Sequence, residues 1–388
     1  MSGQTEHRML PAASHDELAR QEFVRSFKIH LASKVSPGNR AVYDSRAEPE
    51  FVQEHGRPPR DHKEVATVMN RQPYYQFWSS LQRTSQEMMW DAVSTAVDRQ
   101  RDDLIASARA LSDKQDRLGS LTLDPALEIP RYHQAVDIHC QPGGYHTELA
   151  DDDVSAGAIY DRAVHIYAMG RLGPLNDDMG QTPVRWLRET HPDFKPGRIL
   201  DMGCTVGHST LPWVDAFPEA EVHGIDVGAP VLRYAHARAE ALGKAVHYSQ
   251  QNAEHTNFKD ESFDLIVSHI LFHETSSKAL GNIIRECHRL LKPGGMMVHV
   301  EAKPYEGMHP YDAFMLDWDT LNNNEPFWRA SHSVDYHKLA EKAGFEAGQV
   351  YTGMVPSALG EAAKARTTLH QGGDFGGSGE WFVFTARK

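Results

Sequence analysis

Apolar and polar positions follow a repeating order in the second part of the chain. Short apolar runs end in glycine or polar turns, and an amphipathic stretch of helical length follows most of them. This order predicts a parallel sheet with helices on both faces. The predicted strands are 198–203, 221–226, 245–251, 263–269 and 295–301. The helices predicted before and between them are 158–170, 182–190, 209–217, 230–242 and 277–291.

Two further strands are predicted near the end of the chain, at 345–352 and 381–386, where they would pair as a hairpin at the sheet edge. The whole pattern therefore predicts an α/β fold, a Rossmann-like doubly wound sheet of seven strands with the last strand antiparallel. We assign this domain to residues 154–388.

The first part of the chain has a different pattern, without glycine turns after apolar strands. Apolar residues recur at helical spacing between 73 and 111, and a shorter helix is predicted over 17–32. We expect residues 1–153 to be a mainly helical extension that caps the site, forms a homodimer, or does both. The segment 129–146 would link the two parts.

Charge and composition exclude several classes of protein. The 388 residues include 53 acidic and 40 basic ones, a net charge of −13, which disfavours a nucleic-acid partner because such a partner needs a basic face. No apolar run approaches the roughly 18–20 residues of a membrane span, and the first residues lack the apolar core of a secretory signal. Three widely spaced cysteines disfavour a disulfide framework. We expect a cytoplasmic protein without a membrane partner.

The loop after the first predicted strand is the first candidate site, because ligands of such sheets bind beyond the carboxyl ends of the strands. Gly203 and Gly207 lie four positions apart there, with Thr205 between them. This spacing differs from the dinucleotide fingerprint and disfavours a nicotinamide-dependent oxidoreductase. Asp226 follows at the end of the next strand, where its carboxylate could bind both hydroxyls of a ribose.

Five strings in order give a family resemblance. They are LDMGCTVG at 200–207, GID at 224–226, QNAE at 251–254, FDLIVS at 263–268 and LLKPGG at 290–295. With these strings the chain resembles the class I S-adenosylmethionine-dependent methyltransferases, in particular the ubiquinone and menaquinone biosynthesis type. The resemblance covers about 100 residues tightly and does not extend to residues 1–150. It implies S-adenosylmethionine as the cofactor.

The resemblance also implies cofactor contacts. Asp201 and the loop would hold the methionine part, with backbone groups of Gly203 against its carboxylate and amine. Asp226 would bind the ribose, Val227 and Asn252 the adenine, and His269 would border the sulfonium. The full set of implied cofactor residues is Tyr160, Asp201, Gly203, Cys204, Thr205, Gly207, Asp226, Val227, Asn252, Ala253, Glu254 and His269. Two positions depart from the family pattern: Thr205 stands where glycine is usual, and Asn252 where aspartate is frequent.

Catalytic and acceptor residues are expected after the fourth and fifth strands and just ahead of the sheet. Methyl transfer is an in-line displacement in which the protein aligns the acceptor and removes a proton where needed. His273 and Glu274 follow the fourth strand, and His273 is expected to serve as general base or merely to shape the pocket. The residues expected around a small organic acceptor, methylated on O, N or C, are Tyr145, His146, Asp317, Trp318 and Trp328.

The 23 histidines raise the question of a metal. His269 and His273 have a spacing suited to chelation only on a helix, and they lie at a strand end. His139, Cys140 and His146 have irregular spacing. We therefore expect no metal site.

The alternative to an enzyme is a non-catalytic protein that binds S-adenosylmethionine and uses residues 1–150 as a partner-binding module. If variants of His273 and Glu274 retained cofactor affinity and formed product unchanged, the catalytic assignment of these residues would be weakened, but not the prediction of an enzyme.

Overall fold

The computed structural model describes residues 3–360 and 379–388 and contains one eight-stranded sheet among them. The strands are β1 (Ser120–Thr122), β2 (Arg198–Met202), β3 (Glu221–Asp226), β4 (His247–Gln250), β5 (Phe263–His269), β6 (Leu291–Glu301), β7 (Val350–Pro356) and β8 (Glu380–Arg387). They lie in the order β1-β4-β3-β2-β5-β6-β8-β7. All neighbours up to β6 pair in parallel, whereas β8 is antiparallel to both β6 and β7. The predicted α/β class, the Rossmann-like topology and the antiparallel last strand are confirmed.

Helices surround this sheet and form most of the first part of the chain. Those before β1 are α1 (His15–His30), α2 (Pro37–Val42), α3 (Glu48–His55), α4 (His62–Met69), α5 (Pro73–Arg99) and α6 (Arg101–Ser112). Those between β1 and β6 are α7 (Arg131–Gln134), α8 (Ser155–Tyr167), α9 (Asp178–Thr190), α10 (Leu211–Ala216), α11 (Ala229–Ala241) and α12 (Ser277–Leu290). Those after β6 are α13 (Pro310–Leu316), α14 (Trp318–Asn322), α15 (Trp328–Ser331) and α16 (Tyr336–Ala343).

The strands form because their apolar residues are buried on both faces of the sheet. Along β2, Ile199 belongs to the core on one face, and Leu200 to the core on the other. β5 repeats this alternation with Leu265 and Ile266, since successive side chains of a strand point to opposite faces. Continuous apolar runs of this kind are typical of parallel strands covered by helices on both sides.

The eighth strand corrects the predicted number of seven. β1 has only three residues, too few for a periodic pattern, and its pairing depends on long-range contacts. The backbone N–H groups of Leu118 and Gly119 donate to Glu240 Oε1 on α11 at 2.9 and 2.8 Å. A Cβ atom on Gly119 would lie 2.1 Å from the carbonyl oxygen of Val246, so only glycine allows the approach to β4. Thus the helical part of the chain also supplies an edge strand.

The predicted helix over 73–111 is divided into α5 and α6. Gln100 leaves the helical conformation with φ −124° and ψ 21°, and its Nε2 donates to the carbonyl oxygens of Ala96 and Ala12. The apolar spacing continues through this break, so the sequence pattern does not reveal it. One core joins Met89 and Val93 of α5 to Ala158 of α8 and Tyr234 of α11. The predicted boundary between residues 153 and 154 stays a prediction.

A separate core lies between the first helices and the segment after β6. Trp78 of α5 packs against Trp318 with ring centroids 5.8 Å apart, and Trp318 Nε1 donates to Ser79 Oγ at 2.8 Å. Phe314 and Tyr311 of α13 belong to the same core. Among the residues described, no helix is long and apolar enough to cross a membrane.

Burial lowers the pKa of several histidines, and this predicts a specific pH effect. Burial holds the pKa of His299 near 3, and Ser268 Oγ lies 2.7 Å from its Nδ1. In the unfolded chain this pKa is about 6.5, so the unfolded state binds the proton more readily as the pH falls below that value. His299 therefore lowers the free energy of unfolding by about 2 kcal/mol between pH 7.5 and pH 5. The destabilisation caused by His299→Gln is expected to be smaller at pH 5 by that amount.

Urea unfolding at the two pH values measures this difference. His15→Gln is the control because the side chain of His15 is 96% exposed. An equal effect of His299→Gln at both pH values would contradict the prediction.

Candidate active site

Two adjoining cavities open at the carboxyl ends of β2, β3 and β5. They share seven lining residues, so they form one continuous site. The shared residues are His139, Tyr145, Tyr160, Gly203, Thr205, His269 and Ile270. This is the edge of the sheet at which the topology of the strands predicts ligand binding.

The loop after β2 forms the floor of the site. Gly203 has φ +70°, and its N–H donates to the carbonyl oxygen of Ile225 at 2.8 Å, which turns the chain sharply at the end of the strand. Thr205 stands at the position where the family usually has glycine, and it adopts the left-handed conformation with φ +47°. Its N–H donates to Asp226 Oδ2 at 3.0 Å. Asp201 Oδ2 accepts from Thr210 Oγ1 at 2.6 Å, which fixes this carboxylate below the loop.

Asp226 lies at the end of β3 with both carboxylate oxygens facing backbone donors. Besides Thr205, Gly228 donates its N–H to Oδ1 at 2.9 Å. Burial raises the pKa of Asp226 despite these hydrogen bonds. Val227, Asn252 and Ala253 line the same end of the cavity. Asn252 Oδ1 already accepts the N–H of Glu254 at 2.9 Å.

Two tyrosines cover the loop from the side of α8. The ring of Tyr160 stacks on the ring of His208 with centroids 5.8 Å apart. It packs edge-on against the ring of Tyr145 with centroids 5.5 Å apart. His208 Nε2 lies 2.8 Å from Asp161 Oδ1, a buried carboxylate that also contacts Arg238. Burial opposes ionisation of Asp161, but Arg238 and His208 hold its pKa well below the usual value. This charged group ties the loop to α8 and α11.

His139 lines both cavities, although the sequence analysis named it only with Cys140 and His146 as a possible metal group. It comes from a turn, Ile138–Cys140, with a left-handed backbone of φ 54°, and it lines the centre of the site. Its Nε2 lies 2.8 Å from Glu274 Oε1, and its Nδ1 lies 3.0 Å from Glu325 Oε1. Burial lowers the pKa of His139, but Glu325 and Glu274 outweigh this effect and raise it well above the usual value.

The two predicted catalytic residues are separated by this arrangement. Glu274 lines the cavity. His273 is buried and packs against Trp328, with the two ring centroids 4.8 Å apart. His273 Nδ1 lies 3.0 Å from Glu301 Oε2, at the end of β6. His273 is not among the residues that line the described cavities, so a direct contact with an acceptor has no support.

The other predicted site residues divide between the cavity and its surroundings. Those that line the cavity are Tyr145, Tyr160, Asp201, Gly203, Cys204, Thr205, Asp226, Val227, Asn252, Ala253, His269 and Glu274. Those that do not are Gly207, Glu254, His146, His273, Asp317, Trp318 and Trp328. Glu254 instead bonds to Tyr132 and Asn282, Asp317 to Tyr305 and Arg329, and His146 lies beside His133. Gly207 closes the turn behind the loop, where its N–H donates to Cys204.

Comparison with known families and proteins locates the same region. A family model described as a methyltransferase domain matches residues 199–295. The chain is 36% identical over 126 residues to the demethylmenaquinone methyltransferase of Thermus thermophilus, which is 31% of this chain and 56% of that protein. It is 30% identical over 153 residues to the ubiquinone biosynthesis O-methyltransferase of Pseudomonas aeruginosa, 39% of this chain and 61% of that protein.

A third relative is matched over most of its length. An uncharacterized methyltransferase of Synechocystis is 30% identical over 185 residues, which is 46% of this chain and 82% of that protein. By contrast, the chain spans little more than half the length of the Thermus and Pseudomonas enzymes.

Proposed function

Because the chain belongs to the class I S-adenosylmethionine-dependent methyltransferases, we propose that it transfers the methyl group of S-adenosylmethionine to a small organic acceptor. S-adenosylmethionine is the cofactor of this family. The observation that carries the proposal is the continuity of the site. Asp226, Asn252 and Glu274 line one part of it, Trp90 and Tyr167 line the other, and Gly203 and His139 line both parts.

The cofactor would lie across the carboxyl ends of β2 and β3. Asp226 would bind the ribose hydroxyls, and Val227 and Ala253 would contact the adenine. The N–H of Gly203 is already donated to Ile225, which leaves the carbonyl oxygen of Gly203 for the amine of the methionine part. Family members use the corresponding positions for the same contacts, and their placement around one cavity supports this pose.

The acceptor would bind beyond the sulfonium, where the cavity becomes mainly apolar. The residues that line only this end include Trp90, Val164, Tyr167, Leu172 and Met179. Aromatic and aliphatic walls favour a flat or aliphatic organic molecule and give little support for a highly charged one. The names of the Thermus and Pseudomonas relatives refer to quinone substrates, which would suit such walls.

The proton of the acceptor would pass to Glu274, which lies beside His139, a residue that lines both parts of the site. Bound S-adenosylmethionine would supply the methyl group: a bond from the acceptor to the methyl carbon would form as the carbon–sulfur bond breaks, and S-adenosylhomocysteine would leave. Glu274 Oε2 has no hydrogen-bond partner among the described residues, and Oε1 is held by His139. His139 would thus position the carboxylate, and the predicted role of His273 as general base passes to Glu274.

The helical part of the chain would close this site. Gln86 and Trp90 of α5, His139 and Tyr145 all line it and all come from residues 1–153. We therefore propose that this part caps the acceptor end. A homodimer through the N-terminal helices, the absence of a nucleic-acid partner and a cytoplasmic location stay predictions.

Glu274→Gln tests the proposed chemistry. A panel of hydroxylated aromatic, amine and quinol acceptors is first screened for formation of S-adenosylhomocysteine and of a methylated product. With an active acceptor, the variant is expected to lose roughly 100-fold or more in kcat, because a positioned base contributes about that much. Its affinity for S-adenosylhomocysteine should stay within a few-fold.

Glu189→Gln serves as the control because Glu189 is an exposed residue of α9. Unchanged kcat in Glu274→Gln would contradict the assignment of Glu274. Tight binding of the cofactor with no transfer to any acceptor of the panel would favour the non-catalytic alternative.

A further inference from the structure

A buried group of nitrogen and oxygen donors lies behind the acceptor end of the site. We call His139, His273 and Glu325 the triad. One donor atom from each of the three lies within 4.8 Å of the other two. They come from three segments far apart in sequence: the turn before α8, the turn after β5, and the connection between α14 and α15. The fold therefore brings together donors that no sequence spacing relates.

One donor of the triad is unused. Glu325 is 2% exposed, and its Oε2 has no hydrogen-bond partner among the described residues. Its other oxygen, Oε1, accepts from Asn323 Nδ2 at 2.7 Å. Oε2 faces His273 Nε2 at 3.9 Å, which is too long for a hydrogen bond. A buried carboxylate oxygen without a partner is costly and points to a ligand.

The donors lie within 4.8 Å of one another, so side-chain rotations must bring them closer together to hold one ion. Ligands held about 2.1 Å from one ion are roughly 3.0–3.5 Å apart in common geometries. The 3.9 Å between Glu325 Oε2 and His273 Nε2 exceeds this by about half an ångström, which small side-chain rotations remove. His139 Nδ1 lies 3.0 Å from Glu325 Oε1, and binding of an ion would release to solvent the proton that this pair shares.

Both imidazoles also have a carboxylate on the nitrogen that faces away from the triad. His273 Nδ1 lies 3.0 Å from Glu301 Oε2, and Glu301 Oε1 in turn accepts the N–H of Phe272 at 2.7 Å. His139 Nε2 lies 2.8 Å from Glu274 Oε1. Metal-binding histidines typically donate their second N–H to a carboxylate, which orients the ring and directs the lone pair to the ion.

The charges of this group also favour a bound cation. Glu274, Glu301 and Glu325 are three carboxylates around two imidazoles, and all are buried or nearly so. Buried carboxylates are stable only when cations or donors compensate them.

We propose that His139, His273 and Glu325 bind one divalent transition-metal ion such as Zn²⁺. Two imidazoles and one carboxylate suit Zn²⁺, Fe²⁺ or Mn²⁺, whereas Mg²⁺ and Ca²⁺ prefer oxygen donors alone. The ion lies next to Glu274, behind the part of the site that His139 lines, where it orients an oxygen of the acceptor. That contribution to methyl transfer rests on the proposed function, but occupancy by the metal does not. The sequence alone predicted no metal site.

Titration with Co²⁺ in the absence of cofactor tests occupancy directly. The full chain is stripped with a chelator, and Co²⁺ is added while its visible absorption is recorded. One Co²⁺ per chain is expected, displaced by Zn²⁺ but not by excess Mg²⁺. Glu325→Gln should weaken Co²⁺ binding at least 100-fold. Glu301→Gln, which changes only the carboxylate behind His273, should weaken it 10- to 100-fold.

His247→Gln is the matched control, since His247 lies on β4 and pairs with β1, away from the triad. Thermal melting of each variant shows whether it is folded, and His273→Gln replaces Glu325→Gln if the latter is not. Two results would overturn the proposal: no stoichiometric Co²⁺ spectrum, or unchanged Co²⁺ affinity in a folded triad variant. Metal binding with no methyltransferase activity would leave the metal site standing and count against the proposed function.

Discussion

Replacing Gly203 with alanine is expected to weaken binding of S-adenosylmethionine by on the order of 100-fold, about 2.7 kcal/mol. The residue has φ +70°, a conformation that costs an L-residue roughly 1–2 kcal/mol. An added Cβ would lie 2.7 Å from Leu271 Cδ1, and Leu271 itself lines the cavity. Relief of this contact would displace either the loop or Leu271 into the space of the cofactor.

Gly243→Ala separates this effect from simple backbone strain. Gly243 follows α11, also has φ +70°, and a Cβ there would meet no atom within 4 Å. Both variants are expected to lose stability in thermal melting, but only Gly203→Ala should lose cofactor affinity in isothermal titration. Equal affinities in the two variants would show that the loop after β2 does not hold the cofactor.

Asp226→Asn is expected to reduce affinity for S-adenosylhomocysteine by about 100-fold or more. The carboxylate would accept two hydrogen bonds from the ribose, and hydrogen bonds to a charged group contribute about 1.5–3 kcal/mol each. The amide keeps the shape of the side chain, but it turns one acceptor oxygen into a donor group. That group would face either the N–H of Thr205 or that of Gly228.

Asp215→Asn is the control for the loss of one negative charge. Asp215 is an exposed residue of α10 that pairs with Lys244. Its substitution should leave the affinity unchanged. If Asp226→Asn binds S-adenosylhomocysteine as tightly as the wild type, the ribose lies elsewhere.

The sheet and the cofactor end of the site are predictable from sequence because their signals are local. A buried strand followed by a glycine turn places Gly203 at the sheet edge, and the next strand end places Asp226 beside it. The family resemblance drawn from these strings is confirmed by the methyltransferase family model over 199–295. All of these signals lie within about 100 residues of continuous pattern.

The acceptor end was not predictable in the same way. His139 lies outside the matched strings and reaches Glu274 and Glu325 only through the packing of three separate segments. Aromatic residues after β6 have the same pattern whether they line a pocket or fill a core. Trp318 packs against Trp78 in the core between the first helices and α13. Trp328 packs against the ring of His273.

Isothermal titration of the full chain with S-adenosylhomocysteine and, separately, with NAD⁺ is the most direct measurement. S-adenosylhomocysteine should bind at one site per chain with micromolar affinity, and NAD⁺ should give no measurable heat of binding. Binding of NAD⁺ without binding of S-adenosylhomocysteine would contradict the proposed occupant of the cavity between Asp226 and His139.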